Sequence, residues 1–222
     1  MAANALRRAA SAVFRTSLTI AAIAVWLSLP VFAQESTSAS DSADEGTASK
    51  VVSFLGGAAT GLAAHEGGHL LFAAILDADP SLKRVELAGL PFFALTHRSG
   101  LSPRREFVVS AAGFWMQHAT SEILLSRHPR LRDERAPFKK GFMAFNVLTS
   151  VGYSVAAVAK AGPYERDTRA VGDGLEMSER WVGILVLAPA VLDAYRYFKP
   201  GSRWAVWSSR VLKVGWVALV IK

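Results

Sequence analysis

The chain has 222 residues, of which 51% are hydrophobic and only 19% charged, so composition excludes a disordered body and favours one domain of moderate size. The net charge of +7 is also typical of nucleic-acid binding, but Lys and Arg fall mostly between apolar segments, as beside membrane spans, and we expect no nucleic-acid partner. The absence of cysteine excludes disulfides and thiolate ligands, which leaves His and carboxylates as metal ligands.

Residues 1–33 have the pattern of a secretory signal peptide. Three arginines precede an apolar run over residues 18–32. The triplet Val31-Phe32-Ala33, with small residues at its first and third positions, resembles a signal-peptidase site with cleavage after Ala33. An uncleaved anchor helix is the alternative interpretation. Either one places residues 34–50 outside the cytoplasm. This stretch is rich in Ser, Thr, Asp and Glu and lacks aromatics, so we expect a flexible extracytoplasmic tether.

The next segment, residues 51–76, predicts a helix of ~39 Å, long enough to cross a hydrocarbon core of ~30 Å. It carries His65-Glu66-Gly67-Gly68-His69, the HExxH signature of zinc hydrolases. Two histidines four residues apart lie on one helix face, and Glu66 can reach a metal-bound water. No other ionisable residue occurs in this segment. Because ionisable groups at membrane depth are costly, the motif is expected to be functional. Gly67 and Gly68 would leave room for a substrate backbone.

The remaining chain predicts a hairpin and further apolar helices. Residues 83–98 partly alternate around Gly89 and Pro91, which indicates a short β-hairpin. The last apolar segment, residues 204–221, contains Arg210 and Lys213 and also fits a helix lying in the membrane interface. Residues 51–222 are therefore predicted to be an all-α membrane protein, a polytopic bundle of about four to five spans with a short β-hairpin after the metal-binding helix. The helices expected after the hairpin cover residues 107–125, 142–159, 181–198 and 204–221.

A catalytic zinc needs a third protein ligand besides His65 and His69, with one position left open for water. If the apolar helices alternate in direction, the third one ends near the membrane face where the first one ends. Asp167 follows that third helix after a Gly-Pro break, and is our preferred ligand. Asp173, six residues further on, is the nearest rival. Glu122 is a rival of another kind, because a helical Glu is the third ligand of thermolysin-like enzymes. His97 and His118 are weaker candidates.

The sequence resembles the site-2 protease family of intramembrane zinc metallopeptidases. The resemblance rests on the apolar helix with HEGGH, the hairpin after it, the small-residue run Ser110-Ala111-Ala112-Gly113, and Asn146 followed by Asp167. It covers roughly residues 51–175. The family usually has an Asn-Pro sequence shortly before an Asp-Gly ligand pair. Here Asn146 lies 21 residues before Asp167, no Pro lies in the helix predicted over residues 142–159, and Asp167 precedes Thr168, which indicates a divergent branch.

The resemblance implies an endopeptidase that uses Zn2+ to hydrolyse peptide bonds of membrane-anchored protein substrates within the lipid bilayer of the cell (inner) membrane. Glu66 would act as the general base. Asn146 or Tyr153 could hydrogen-bond the substrate or the developing oxyanion, and residues 83–98 could hold an extended substrate strand by β-augmentation. Two alternatives remain open: a non-catalytic membrane scaffold or metal-binding protein that retains HExxH, and a membrane-tethered thermolysin-like metallopeptidase that uses Glu122.

Overall fold

The computed structural model describes residues 46–87 and 90–221, with the side chains of residues 86–93 and 221 left aside. The predicted signal peptide and residues 34–45 of the predicted tether lie outside the described residues. Six helices and one hairpin make up the described part of the chain. They are α1 (Thr47–Ile75), β1 (Ser81–Leu87), β2 (Leu90–Thr96), α2 (Pro103–Arg127), α3 (Pro137–Ala159), α4 (Asp167–Leu175), α5 (Glu179–Phe198), α6 (Arg203–Ala218) and a final 3-10 turn (Leu219–Ile221).

The helices coincide with the predicted apolar segments and begin at local start signals. Ser102 caps α2, with its hydroxyl accepting the Arg105 N–H at 3.5 Å, and Pro103 occupies the first turn, where a missing N–H costs nothing. Pro137 starts α3 in the same way. The helix α1 begins at Thr47, four residues before the predicted start, so the end of the predicted tether is helical.

The predicted hairpin is confirmed. β1 and β2 pair antiparallel, with a register that runs from Ser81 opposite Thr96 to Leu87 opposite Leu90. Each strand of a two-stranded sheet keeps one edge free, and such an edge can pair with a further strand. The hairpin therefore adds an unpaired strand edge between α1 and α2.

The helix contacts place a compact core beside the HExxH motif of α1. α1 packs on α2 and α3, α3 packs on α5, and α4 is held between α2 and α5. The core cluster lies where α2, α4, α5 and α6 meet, and Phe114 of this cluster also touches the His65 ring. The buried residues of the cluster are Phe107, Val108, Ala111, Phe114, Val171, Val182, Val186 and Trp216.

Two of the described helices, α3 and α5, are long and apolar enough to cross a membrane, fewer than the four to five spans predicted. α1 falls short because five glycines and its three motif side chains lower its hydropathy, α2 carries several charges, and α6 has only 16 residues. The core helix of a soluble protein can have the same length and composition as α3 and α5. The mostly helical fold is confirmed, and insertion into a membrane stays a prediction.

The short helix α4 was not predicted. Its nine residues follow the Gly-Pro break and contain two glycines and two aspartates, which are weak helix formers. It forms because one face is buried: Val171 and Thr168 are fully inaccessible, and Val171 belongs to the core cluster. This helix begins at Asp167 and so determines where that carboxylate lies.

Candidate metal centre

His65 and His69 lie one turn apart on the buried face of α1, as their spacing predicts. Their side chains are almost inaccessible, and the two Nε2 atoms are 3.2 Å apart. The imidazole rings meet edge to face, with centroids separated by 4.8 Å. Both rings therefore direct the same nitrogen atom towards one point.

Asp167, which lies 102 positions after His65 in the chain and begins α4, reaches the same point. Its Oδ2 lies 3.2 Å from His65 Nε2 and 3.4 Å from His69 Nε2. Burial by itself would raise the pKa of the Asp167 carboxyl, but the adjacent His69 and His65 outweigh it and hold the pKa well below its usual range. The carboxyl group is therefore ionised at neutral pH, which is the form that binds metal ions.

The residues on either side of Asp167 fix its position. The Arg166 guanidinium donates to both carboxylate oxygens of Glu179, at 2.5 and 2.6 Å, and the Thr168 hydroxyl donates to the same group at 2.8 Å. Arg166 also donates to the Pro163 carbonyl at 2.9 Å. Because Glu179 lies in the first turn of α5, these bonds tie the N-terminus of α4 to α5.

The spacing of the three ligand atoms matches a tetrahedral metal site. Zinc bonds of ~2.0–2.1 Å place neighbouring ligand atoms about 3.3–3.4 Å apart in a tetrahedron. The three measured separations among His65 Nε2, His69 Nε2 and Asp167 Oδ2 are 3.2, 3.2 and 3.4 Å. Within the described residues these side chains form a group that could hold a metal ion, with all ligand atoms within 4.8 Å of one another.

The hydrogen bonding of His69 also favours a cation. Its Nδ1 lies 2.8 Å from the Val109 carbonyl, which can only accept, so Nδ1 carries a proton. In the neutral imidazole, Nε2 is then a bare lone pair that faces the Asp167 carboxylate at 3.4 Å. Two acceptors at this separation repel unless a cation lies between them. Without a metal ion, a second proton, on Nε2, would relieve the repulsion.

Two glycines make room at this site. A Cβ atom at Gly113 of α2 would lie 2.4 Å from His69 Nε2 and 2.7 Å from His65 Nε2, in the space that the ligand atoms share. A Cβ at Gly68 would lie 2.6 Å from the Ala112 carbonyl oxygen. Gly68 thus allows close packing of α1 on α2, while its predicted role of leaving room for a substrate backbone stays a prediction.

Glu66 stands beside the ligands without belonging to their group. It is partly buried and follows His65 directly on α1. Its interactions with His65, His69 and Asp167 are through space, and its carboxylate is outside the ligand cluster. This placement suits a base next to a metal-bound water better than a fourth ligand.

A cavity of about 300 Å3 leads from His69 and Asp167 towards the surface. Its walls come from the end of β2 and the following loop, from the N-terminal part of α2 and from α4. The β2 side contributes Leu95, Thr96 and His97, so a strand end lies beside the two metal-ligand candidates. A peptide in this cavity would run next to the hairpin.

The rival ligands are not brought to the cluster. Asp173 lines the same cavity but lies exposed near the other end of α4. Glu122 pairs instead with three cationic side chains, those of Arg196, Arg210 and Lys213. His97 pairs with Glu106 at 3.2 Å, and this contact raises the pKa of His97. His118 is buried on α2 outside the ligand group.

Asn146 is a residue of α3, and its side chain faces α2. Its amide group donates to Ser121 Oγ at 2.9 Å, to the Gln117 carbonyl at 3.2 Å and to Thr120 Oγ1 at 3.3 Å. Its Oδ1 atom is buried and has no hydrogen-bond partner among the described residues. Its amide therefore joins helices, and its predicted contact with substrate stays a prediction.

Sequence reasoning missed three contributions to this site. The Val109 carbonyl sets the His69 tautomer, Gly113 leaves space between the ligands, and Tyr153 contacts the ligands directly. The role of Gly113 could have been inferred from the sequence, because the run Ser110-Ala111-Ala112-Gly113 of α2 consists of small residues. Tyr153 had been considered, but as a substrate contact and not as a neighbour of His65 and Asp167.

Comparison of the chain with protein-family models, with curated proteins and with solved structures finds no match. The resemblance to site-2 proteases therefore rests on the motif and on the positions of its residues.

Proposed function

We propose that this protein is a zinc-dependent intramembrane endopeptidase that hydrolyses peptide bonds of membrane-anchored proteins. The observation that carries the proposal is the tetrahedral spacing of His65, His69 and Asp167, with Glu66 adjacent and free of the ligand group. Two imidazoles and one carboxylate are a ligand set that suits zinc. An intact Glu66 favours an enzyme over a scaffold, because a scaffold needs only the ligands.

Zinc bound at this site would lower the pKa of its water towards neutrality and polarise the scissile carbonyl. The chain supplies the proton transfers: a Glu66 carboxylate oxygen accepts the proton of the attacking water and delivers it to the leaving amine. The Val109 carbonyl keeps the proton of His69 on Nδ1, so that Nε2 remains available as a ligand. Glu179, through Arg166 and Thr168, holds Asp167 in place.

The substrate would bind as an extended strand. The end of the hairpin lies next to the cavity, where residues 95–97 line the wall, and each strand has one edge without a strand partner among the described residues. Backbone hydrogen bonds to such an edge hold a peptide irrespective of its sequence, which is how β-augmentation works. A helical membrane segment would first have to unwind, since its carbonyls are engaged in its own hydrogen bonds.

The membrane setting is part of the proposal. It is supported by the length and composition of α3 and α5 and by the many exposed apolar side chains on α1, α3 and α5, among them Val52, Leu148 and Val191. Large exposed apolar surfaces are uncommon on soluble monomers. After alkaline carbonate extraction of expressing cells, the protein should stay in the membrane pellet. Its release into the supernatant would contradict this setting.

The activity is tested with the full chain in liposomes that also contain a library of single-span peptides, with cleavage sites mapped by mass spectrometry. Zinc-loaded wild type should cleave a subset of peptides. Glu66→Gln should retain its zinc and lose about 10²–10⁴-fold in rate, the range expected for a general base. Glu134→Gln, at a partly exposed ion pair with His128, is the matched control and should cleave normally.

Two results would overturn the enzyme assignment. If Glu66→Gln cleaves at the wild-type rate, Glu66 is not the base. If zinc-loaded wild type cleaves no peptide, the scaffold alternative takes the place of the peptidase. Loss of zinc from Glu66→Gln would instead identify Glu66 as a ligand.

A further inference from the structure

His65 is enclosed by two aromatic side chains from neighbouring helices. The Tyr153 ring of α3 lies nearly parallel to the imidazole, with an interplanar angle of 26° and centroids 5.9 Å apart. The Phe114 ring of α2 meets the same imidazole edge-on at 5.5 Å, and it meets Tyr153 edge-on at 5.1 Å. These three rings form a closed set of contacts, so the aromatic pair restricts the rotation of His65.

The two histidines differ in how their second nitrogen is used. His69 donates from Nδ1 to the Val109 carbonyl, the usual arrangement in metal sites, where an outer hydrogen bond orients the imidazole. His65 Nδ1 is buried and has no hydrogen-bond partner among the described residues. Apart from the contacts of its Nε2 atom, its orientation therefore depends on ring packing, and Tyr153 supplies the nearly parallel contact.

Tyr153 also reaches the third ligand candidate. Its hydroxyl is close enough to the Asp167 carboxylate to interact with it electrostatically. The phenol is partly buried, and desolvation strengthens an interaction of this type. One side chain on α3 thus packs on His65 of α1 with its ring and interacts with Asp167 of α4 through its hydroxyl.

We propose that Tyr153 is a positioning residue of the metal site, which aligns His65 and Asp167 with each other. This inference rests on the proposed function to the extent that the three ligands bind a metal ion. His65 and Asp167 are 102 positions apart in the chain, and their relative placement depends on contacts among α1, α3 and α4. Tyr153 connects all three helices at the ligands themselves. Outer contacts of this kind typically change metal affinity by about 10–100-fold.

The test compares the removal of two hydroxyl groups. Tyr153→Phe keeps the ring against His65 and deletes only the hydroxyl that interacts with Asp167. Tyr164→Phe is the matched control, because Tyr164 lines the same cavity but lies exposed and stacks on Arg169, away from the ligands. Cobalt(II) is the probe, since its visible absorption spectrum reports the number and geometry of its ligands. Affinity and spectrum are measured on the purified full chain.

Tyr153→Phe should bind cobalt about 10–100-fold more weakly than wild type, with a shifted visible spectrum and an unchanged melting temperature. Tyr164→Phe should match wild type in affinity and spectrum. Tyr153→Leu removes the ring contact as well and should weaken binding further. A purely structural role would lower the melting temperature without altering the spectrum of the bound cobalt.

The outcomes separate this inference from the function on which it rests. If wild type binds cobalt and Tyr153→Phe and Tyr153→Leu bind it with the same affinity and spectrum, the positioning role is wrong and the metal site stands. If wild type itself binds no cobalt, both the metal site and the positioning role are wrong.

Discussion

Two buried clusters of ionisable side chains occur in the described part of the bundle, and they differ in how their charges are balanced. In the first, His65, His69 and Asp167 direct lone pairs at one point. In the second, which we call the ion network, the carboxylates of α2 and α5 are surrounded by basic side chains of α5 and α6. The ion network consists of Glu122, Asp193, Arg196, Arg210 and Lys213.

The ion network satisfies its own charges. Glu122 accepts from Arg196 at 2.5 Å, from Lys213 at 2.9 Å and from Arg210 at 2.8 Å. Asp193 accepts from Lys213 at 2.8 Å and from Ser209 at 2.7 Å. Every carboxylate therefore has cationic partners within the chain, and no external ion is needed.

The basic partners at the candidate metal centre are of another kind. Asp167 faces two imidazoles, each of which pairs with it as a cation only while it is protonated. The comparison teaches that burial of charged groups does not by itself indicate function. What distinguishes the candidate metal centre is that its basic groups are imidazoles, which can give up a proton and bind a metal ion through the freed nitrogen, whereas the Arg and Lys side chains of the ion network stay protonated at neutral pH.

The largest structural effect is expected at the ion network. Asp193→Ala removes a fully buried carboxylate and leaves Lys213 and Arg196 with Glu122 alone, which should destabilise the fold by about 3–5 kcal/mol. Chemical denaturation in detergent measures the change. Glu134→Ala, at the partly exposed pair with His128, should cost at most ~1 kcal/mol. Zinc content of the folded Asp193→Ala protein should equal that of wild type; zinc loss from the folded variant would mean that the two clusters are coupled.

A smaller effect is expected from filling the space between the metal ligands. In Gly113→Ala the new Cβ would lie 2.4 Å from His69 Nε2, so helix and ligands must shift apart, and zinc affinity should fall by at least tenfold, about 1.4 kcal/mol. Gly152→Ala on α3 is the control, because no described atom lies within 4 Å of its Cβ position. Competition with a chelator measures both affinities. Equal affinity in the two variants would show that the space above Gly113 is not needed.

The smallest effect is expected at the rim of the cavity, where His97 pairs with Glu106. The hydrogen bond from Glu106 raises the pKa of His97 above its usual value of 6.5. The stabilisation is therefore fully present below the unfolded pKa of ~6.5 and is lost as the pH rises through the higher folded pKa. The pair is partly exposed, so the effect should be under ~1 kcal/mol.

Denaturation of wild type and His97→Gln at a series of pH values checks this prediction. The difference in the free energy of unfolding should be largest near pH 6 and should shrink towards alkaline pH. A difference that grows with pH would contradict the pairing.

The sequence was sufficient for features that depend on local patterns. HExxH placed His65 and His69 on one face, alternation predicted the hairpin, and the direction of successive helices brought Asp167 to the correct end. Features that depend on helix rotation and crossing were not predictable. Glu122 remained a rival because nothing local shows that basic residues of α5 and α6 surround it. The aromatic contacts of Tyr153 and the helix α4 likewise arise from packing between distant segments.

The central claim is that His65, His69 and Asp167 bind the metal while Glu122 does not. It is tested most directly by the zinc content of purified wild type, Asp167→Asn and Glu122→Gln, two shape-conserving changes of one carboxylate each, with folding confirmed by circular dichroism. Wild type and Glu122→Gln should retain about one zinc per chain, the content of a single catalytic site, and Asp167→Asn should lose most of it. Zinc retained by Asp167→Asn and lost from Glu122→Gln would contradict the account and favour the thermolysin-like alternative.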